Sequence, residues 1–233
     1  MATPKLENIL FLDIETAPIT YNYAELAPAV KNLWDKKWAY NRDNDPAELY
    51  AKAGIFAEFS KVICIGLGYY HQGKFRVKAI VNEDEKKLLA EFADLVKTHF
   101  NKKEEHFLCA HNGKEFDYPF LSRRMIINGV PFPRNFQLQG KKPWDVKHLD
   151  TMELWRFGDI KNFTSLDLLA HVLGIPSPKD EIDGSMVGKV YHEEKNIDKI
   201  RTYCLKDVVT LSRVYSKYTG QKAVEEQDII YAE

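Results

Sequence analysis

The alternation of apolar and polar stretches along the chain predicts both strands and helices. The apolar run that starts at Ile9 carries polar residues at its end, Asp13 and Glu15, which is typical of a buried strand with a polar end. Two later apolar stretches flank Gln72-Gly73, a turn dipeptide, and therefore predict a β-hairpin. The predicted strands are residues 9–14, 62–70, 75–81, 107–110 and 148–154.

Apolar residues at helical spacing predict helices between and after these strands. Leu88, Leu89 and Phe92 fall on one face of the first long helix, and glycines at positions 129 and 174 mark the ends of two others. Strands followed by alternating helix and strand predict an α/β fold, in which helices pack on a mixed five-stranded sheet. The predicted helices are residues 83–100, 118–128, 164–173 and 196–218, with Thr164 as the N-cap of the third.

The chain is long and apolar enough for one sizeable domain. It has 233 residues, of which 45% are hydrophobic. We predict that residues 1–220 form a single domain and that residues 17–60, rich in Tyr, Trp, Ala and Lys, form a partly helical insertion in it. The tail, residues 221–233, is polar for most of its length and is expected to be loosely docked.

Charge and composition narrow the functional classes. The formal net charge of −1 gives no general attraction to a polyanion, so nucleic acid would be held by local basic groups and metal ions. No stretch approaches the roughly 18 apolar residues of a membrane span, and the start of the chain lacks a secretory signal. We therefore expect a cytoplasmic protein without membrane association. The three cysteines lack the spacing of a zinc or redox site and are interpreted as core residues.

The first chemical signal is the pair Asp13 and Glu15. Residues two apart on a strand point to the same face, where two carboxylates can share a divalent cation. An Asp-x-Glu triplet also occurs by chance in a chain of this composition, so the pair alone is weak evidence. Its place at the end of a buried strand strengthens it, because carboxylates without a partner are costly there.

Two further groups of polar residues follow later in the chain. Asn112 and Asp117 come directly after a predicted strand, with Asp117 near the start of a helix, where capping is the ordinary role of an aspartate. Tyr203 and Asp207 are four residues apart and share one face of the last helix. Taken singly, a helical tyrosine is usually a core residue and a helical aspartate is usually solvated.

In this order, the residues resemble the DEDD superfamily of 3′–5′ exonucleases. The Tyr-x-x-x-Asp spacing is that of the tyrosine subclass, because the histidine subclass has His where this chain has Thr202. The resemblance covers about residues 8–218 and points most closely to stand-alone bacterial proteins related to the proofreading domains of family B DNA polymerases. Its motifs are Phe11-Leu12-Asp13-Ile14-Glu15-Thr16, His111-Asn112-Gly113 with Phe116-Asp117 and Pro119-Phe120-Leu121, Leu173-Gly174-Ile175-Pro176 with Asp183-Gly184, and Tyr203 with Asp207.

The resemblance implies a fold, a reaction and a set of roles. The fold is ribonuclease H-like, with helices on both faces of the sheet. The reaction is hydrolysis of phosphodiester bonds at the 3′ ends of single-stranded or frayed nucleic acid, with DNA favoured over RNA. Two divalent ions are the implied cofactors, and oxygen-only ligands favour Mg²⁺ or Mn²⁺. The resemblance implies that Asp13 bridges both ions, that Glu15 and Asp207 hold the ion that activates water, and that Asp117 holds the second ion. It also implies that Tyr203 orients the water. Thr16, Asn112 and Phe116 are implied to seat the terminal nucleotide.

Several alternatives stay open. The chain could be an exoribonuclease of the same fold or a catalytically silent nucleic-acid-binding module, although silent members of such folds normally lose an acidic ligand. An aspartyl phosphatase of the haloacid dehalogenase type would need Asp-x-Asp-x-Thr, from which Glu15 and Ala17 depart. Candidates for base stacking, for which packing is the commoner role, are Tyr21, Tyr23, Trp34, Trp38, Tyr40 and Trp144 in the loop that starts at Lys141.

Overall fold

A six-stranded mixed sheet forms the centre of the protein. The computed structural model describes residues 4–40, 45–102, 105–159, 161–176 and 182–232. The strand order is β5-β4-β1-β2-β3-β6, with β1 antiparallel to β2, β2 antiparallel to β3, and the other neighbours parallel. The strands are β1 (Ile9–Pro18), β2 (Ser60–His71), β3 (Lys74–Ile80), β4 (Phe107–Ala110), β5 (Leu149–Asp150) and β6 (Ile229–Tyr231).

Helices connect the strands and cover both faces of the sheet. Within the described residues, the α-helices are α1 (Pro28–Trp38), α2 (Pro46–Leu49), α3 (Glu85–His99), α4 (Asp117–Asn128), α5 (Thr151–Arg156), α6 (Leu166–Val172), α7 (Val187–Lys189) and α8 (Ile197–Thr219). A π-helical turn, Val190–Glu194, continues α7. None of the helices in these ranges is both long and apolar enough to cross a membrane.

The alternation of side chains along β1 assigns a different helix layer to each face. Leu10 and Leu12 point into a core shared with α3 and α4. Ile9 and Phe11 point the other way, into a core shared with α8. The predicted α/β fold with helices on both faces is therefore confirmed. By the same alternation, Asp13 continues the face that α8 covers.

Two glycines on β2 allow α8 to lie close against the sheet. A Cβ atom at Gly66 would stand 2.8 Å from the Cys204 sulfur and 2.9 Å from a methyl carbon of Val208. A Cβ at Gly68 would stand 2.6 Å from the other methyl carbon of Val208. Since real Cβ atoms are not found so close, only glycine at these positions permits this helix–sheet distance. The approach matters because Gly66 pairs directly with Asp13.

Two sequence predictions of local structure are wrong at their boundaries. The strand predicted over residues 148–154 ends at Asp150, whose carboxylate accepts hydrogen bonds from the backbone N–H groups of Met152 and Glu153 and so starts α5. The helix predicted to begin at Thr164 begins at Leu166, because the Ser165 side chain is the cap.

The sheet has six strands rather than the predicted five, because the tail contributes the last one. Residues 229–231 pair in parallel with β3 at its outer edge, and the Ala232 N–H donates to the Val77 carbonyl at 2.8 Å. Lys74 and Asp228 form an ion pair of 2.5 Å beside this strand. The short strand covers the free edge of β3, which the sequence prediction of a loosely docked tail missed.

The segment between β1 and β2 packs around a buried tryptophan. Trp34 is fully buried, its ring contacts Tyr50 and Phe59 edge to face, and its indole N–H donates to the Pro46 carbonyl at 2.8 Å. Trp34 is therefore a packing residue and has no free face for a base. Trp144 in contrast is 71% exposed.

Candidate active site

Asp13 and Glu15 lie on the central strand of the sheet, on the face covered by α8. Glu15 is only 6% exposed and Asp13 is half-buried. The pairing register of β1 with β2 shifts directly after Glu15. Such an irregularity bends the strand where the ladder would otherwise continue and is common beside functional sites.

Asp117 approaches the same point from the neighbouring strand. β4 is parallel to β1 and ends at Ala110, and the following turn leads into α4, which starts at Asp117. The Asp117 side chain is 3% exposed and accepts hydrogen bonds from its own N–H and from that of Ile14. Burial, followed by the nearby charge of Asp150, raises its pKa from 3.8 to about 8.

Tyr203 and Asp207 reach the site from α8. They lie one helical turn apart, and the Tyr203 hydroxyl is hydrogen-bonded to the Asp207 carboxylate. Burial raises the pKa of the Tyr203 phenol, and the charges of Asp207, Glu15 and Asp13 raise it further. The phenol therefore stays protonated at neutral pH, so that it can donate a hydrogen bond but not serve as a free base.

The acidic side chains form one electrostatic cluster. Burial is the main cause of the raised pKa values of Asp13 and Glu15, and both are raised further by the charges of Asp207 and Asp117. Within the described residues, the hydrogen bond from Cys204 is the one interaction that lowers the pKa of Asp13. Four carboxylates from three separated segments thus lie close enough for their charges to act on one another, which fits the binding of divalent cations.

The three residues predicted to seat a nucleotide have different surroundings. The Thr16 hydroxyl donates to the Gly54 carbonyl at 2.7 Å and so ties β1 to the insertion. Asn112 has a positive φ of 61°, and its side-chain oxygen is buried with no hydrogen-bond partner among the described residues. Phe116 is half-buried and packs on the core with its ring 5.3 Å from that of Phe120. An unsatisfied buried acceptor such as that of Asn112 is a candidate contact for a bound ligand.

A cleft of about 610 Å³ begins at Thr16, the residue after Glu15. One wall belongs to the insertion, with the aromatic rings of Tyr21 and Tyr23, and the facing wall belongs to the segment around Ser185. The cleft is also lined by Pro18, Asn22, Ala47, Tyr50, Ala51, Lys52, Gly54, Ile55, Gly184 and Gly188.

Two residues at the site were missed by sequence reasoning. Asp150 is 4% exposed and accepts from the backbone N–H groups of Asn112 and Lys114, so that it fixes the turn before α4. Asp150 and Glu153 have the spacing of a capping box at a helix N-terminus, and this signal is visible in the sequence. Cys204 donates its thiol hydrogen to Asp13, and no sequence pattern marks this contact.

A family model and a solved structure match the chain. The family is described as predicted 3′–5′ exonucleases related to the exonuclease domain of PolB, and its model matches residues 55–229, a range that contains Asp117, Tyr203 and Asp207. The structure of the family B DNA polymerase from the hyperthermophilic archaeon Pyrobaculum calidifontis is similar with a TM-score of 0.58 and 18% identity. The match covers 93% of this chain but 25% of the polymerase, so the likeness concerns the fold of one part of it. No curated protein matches this sequence.

Proposed function

The chain belongs to the family of predicted 3′–5′ exonucleases related to the exonuclease domain of PolB, and on that basis we propose a specific reaction for it. The protein removes nucleotides from the 3′ end of single-stranded or frayed nucleic acid by metal-dependent hydrolysis of the phosphodiester bond. DNA is the favoured substrate, since the similar fold belongs to a DNA polymerase.

One observation carries the proposal: the charges of Asp117 and Asp207 raise the pKa values of both Asp13 and Glu15, so four carboxylates lie close enough to act on one another. A phosphodiester is itself anionic, so such a cluster would repel it unless cations were held between them. The oxygen-rich ligand set favours Mg²⁺ or Mn²⁺. Two such ions would compensate the negative charge and lower the pKa of a bound water.

The resemblance assigns a role to each acidic residue. Asp13, central in the cluster, would contact both ions, whereas Glu15 and Asp207 would hold the ion on the side of the attacking water. Asp117 would hold the other ion, partly through water. In support, the charges of both Asp207 and Asp117 raise the pKa of Asp13, as expected for a residue near both of them.

Tyr203 positions the attacking water in this proposal. Its phenol stays protonated because burial and three neighbouring carboxylates raise its pKa. It can therefore hold a water by hydrogen bonding, while its bond to Asp207 fixes the direction of the hydroxyl. The unsatisfied oxygen of Asn112, the cleft at Thr16 and, by the resemblance, the Phe116 ring are the proposed contacts for the terminal nucleotide.

The test is a time course with a 5′-labelled single-stranded DNA and Mn²⁺, run beside matched single-stranded RNA and a blunt duplex. The expected result is a ladder that shortens from the 3′ end with release of mononucleotides. Asp13→Ala and Asp207→Ala should abolish it. Asp198→Ala is the matched control, because Asp198 lies on α8 as well but is exposed and pairs with Arg201.

Each alternative has its own signature in this assay. If the RNA is shortened faster than the DNA, RNA is the preferred substrate and the proposed mechanism is unchanged. Metal binding without cleavage of any of the three substrates would favour a silent binding module. Full activity of Asp13→Ala or Asp207→Ala, with circular dichroism showing both folded, would contradict the proposed site.

A further inference from the structure

Two phenylalanines in the segment between α5 and α6 are exposed to solvent. Phe157 is 90% exposed and Phe163 is 68% exposed. All 13 phenylalanines of the chain lie within the described residues, and the others are buried or half-buried. An exposed pair of large apolar rings so close in sequence is a candidate contact surface.

The backbone holds Phe157 in an unfavourable conformation. The residue ends α5 with φ 43° and ψ 36°, in the left-handed region that glycine usually occupies at the end of a helix. A residue with a Cβ atom is disfavoured there, and no burial of the ring offsets the cost, because the ring is exposed. Residues strained in this way are concentrated at active sites and ligand-binding sites.

Phe157 is tied to the turn that leads from β4 to Asp117. The side chain of Arg156, the residue before it, donates a hydrogen bond to the Glu115 carboxylate at 3.2 Å. Glu115 lies in that turn, two residues before Asp117. Arg156 also donates to the Asn162 carbonyl at 3.0 Å and so links the two ends of the exposed segment. Phe157 is therefore held beside the turn that carries an acidic residue of the cluster.

Phe163 is tied to the same turn through a different residue. The Nε2 atom of His111 donates to the carbonyl of Thr164, the residue after Phe163, at 2.8 Å. The other ring nitrogen of His111 lies 2.9 Å from the Thr151 hydroxyl at the start of α5. His111 directly precedes Asn112, whose unsatisfied oxygen is a proposed contact for the terminal nucleotide. Both phenylalanines are thus attached to the turn that contains this contact.

The chemistry of the segment favours nucleobases over phosphates or a protein surface. Arg156 is paired with Glu115, and the charge of the exposed Lys161 is offset by Asp159, which accepts from the Lys161 backbone N–H at 3.2 Å. The segment therefore offers phosphates little net positive charge. The other side chains described between the two phenylalanines are small or polar as well, so the rings do not belong to a broad apolar interface there. Any base has an uncharged flat face that stacks on an aromatic ring.

We propose that Phe157 and Phe163 stack on bases of a single strand whose 3′ end lies at the acidic cluster. The stacked bases are on the 5′ side of the terminal nucleotide, because that nucleotide is assigned to Asn112 and the cleft at Thr16. This placement rests on the proposed function. Stacking tolerates every base, so the pair raises the affinity for unpaired strands without selecting a sequence. A duplex binds more weakly, since its bases must first be unstacked and unpaired.

Binding is measured apart from activity, by fluorescence anisotropy of a 5′-labelled oligothymidylate. Ca²⁺ replaces Mn²⁺, and a phosphorothioate at the 3′ end prevents cleavage. Phe157→Ala and Phe163→Ala should each raise Kd on the order of five- to a hundredfold, whereas Phe157→Trp, which keeps a flat ring, should retain the affinity. Tyr231→Ala is the matched control and should leave Kd unchanged, because Tyr231 is also an exposed aromatic residue but lies on β6, at the opposite edge of the sheet from β5.

The stacked bases are located by replacing one nucleotide at a time with an abasic residue. At a stacked position the abasic residue should weaken binding to the natural protein, and Phe157→Ala or Phe163→Ala should then have little further effect, because the partner base is already absent. An unchanged Kd in the variant that lacks both rings overturns the proposal, as do abasic and side-chain effects that add independently at every position.

The proposed function fails in a different way. Binding that depends on the two rings, in a chain without nuclease activity, would keep the stacking surface and refute the exonuclease. Nuclease activity at the 3′ end with a Kd and a KM that do not depend on the rings would keep the exonuclease and refute the stacking surface.

Discussion

Replacement of Asp117 by asparagine should stabilise the metal-free protein while inactivating it. Asp117 is 3% exposed, and its pKa is raised from 3.8 to about 8, chiefly by burial. Asparagine keeps the shape and can still accept the hydrogen bond from the Ile14 N–H. It lacks the charge that destabilises the fold at high pH.

The magnitude follows from that pKa. One pKa unit corresponds to about 1.36 kcal/mol, so the shift from 3.8 to about 8 limits the gain to about 6 kcal/mol. Asparagine also buries an amide NH₂ group, and if its hydrogens lack a full set of hydrogen-bond acceptors, this costs about 1–3 kcal/mol. The expected gain in the free energy of unfolding at high pH is therefore at most about 3–5 kcal/mol, or roughly 6–20 °C in Tm for a chain of this size.

The sign of the pH dependence is fixed by the direction of the shift. Below about pH 4 the carboxyl is protonated in both the folded and the unfolded chain, and the aspartate carries no penalty. As the pH rises towards 8, the unfolded chain releases the proton while the folded chain retains it, so the natural protein loses stability. Asparagine does not titrate, and its advantage should grow over this window and then level off.

The assay is urea unfolding in EDTA at pH 5, 7 and 8.5, with Asp84→Asn as control, since Asp84 caps α3 at the surface. The control should change stability by no more than about 0.5 kcal/mol. Mn²⁺ should stabilise the natural protein more than the Asp117→Asn variant, whose turnover should fall on the order of a hundredfold or more. Equal or lower stability of the variant at pH 8.5, or an equal gain at pH 5, would refute the reasoning.

Three further predictions concern other parts of the site. Tyr203→Phe should lower kcat on the order of ten- to a hundredfold and leave KM nearly unchanged, because only a water contact is lost; an unchanged kcat would contradict its role. Gly66→Ala should destabilise the chain by about 1–3 kcal/mol and reduce activity, because its Cβ would meet the sulfur of Cys204 2.8 Å away. Gly184→Ala, whose Cβ would meet nothing within 4 Å, is its stability control, and equal Tm values for the two would refute the close approach. Trp34→Ala should lower the free energy of unfolding by about 3–5 kcal/mol because the ring is fully buried. Trp144→Ala should leave stability nearly unchanged, and it should raise KM only if this exposed ring stacks on a base. Similar Tm values for the two variants would contradict their different burial.

Much of the fold was predictable because its signals are local. The hairpin at Gln72-Gly73 forms as predicted, and both of its turn residues have the positive φ that such a turn requires. The last helix was predicted to within a residue or so at each end, since Asn196 caps its start and Gly220 ends it in the left-handed conformation. The strand predicted over residues 148–154 was too long, because the buried cap at Asp150 starts a helix at the residues that follow it.

The sequence by itself determined two local pairs, since period-two spacing on a strand pairs Asp13 with Glu15 and helical spacing pairs Tyr203 with Asp207, and the family resemblance joined Asp117 to them. Only the tertiary structure decided how close these pairs lie to each other and what else joins them. Gly66 sets the distance between α8 and the sheet, and that distance brings the Cys204 thiol to Asp13. Asp13 and Cys204 are 191 positions apart, so no local sequence pattern predicts that they are in contact. Such a contact depends on packing across the whole sheet rather than on local backbone geometry.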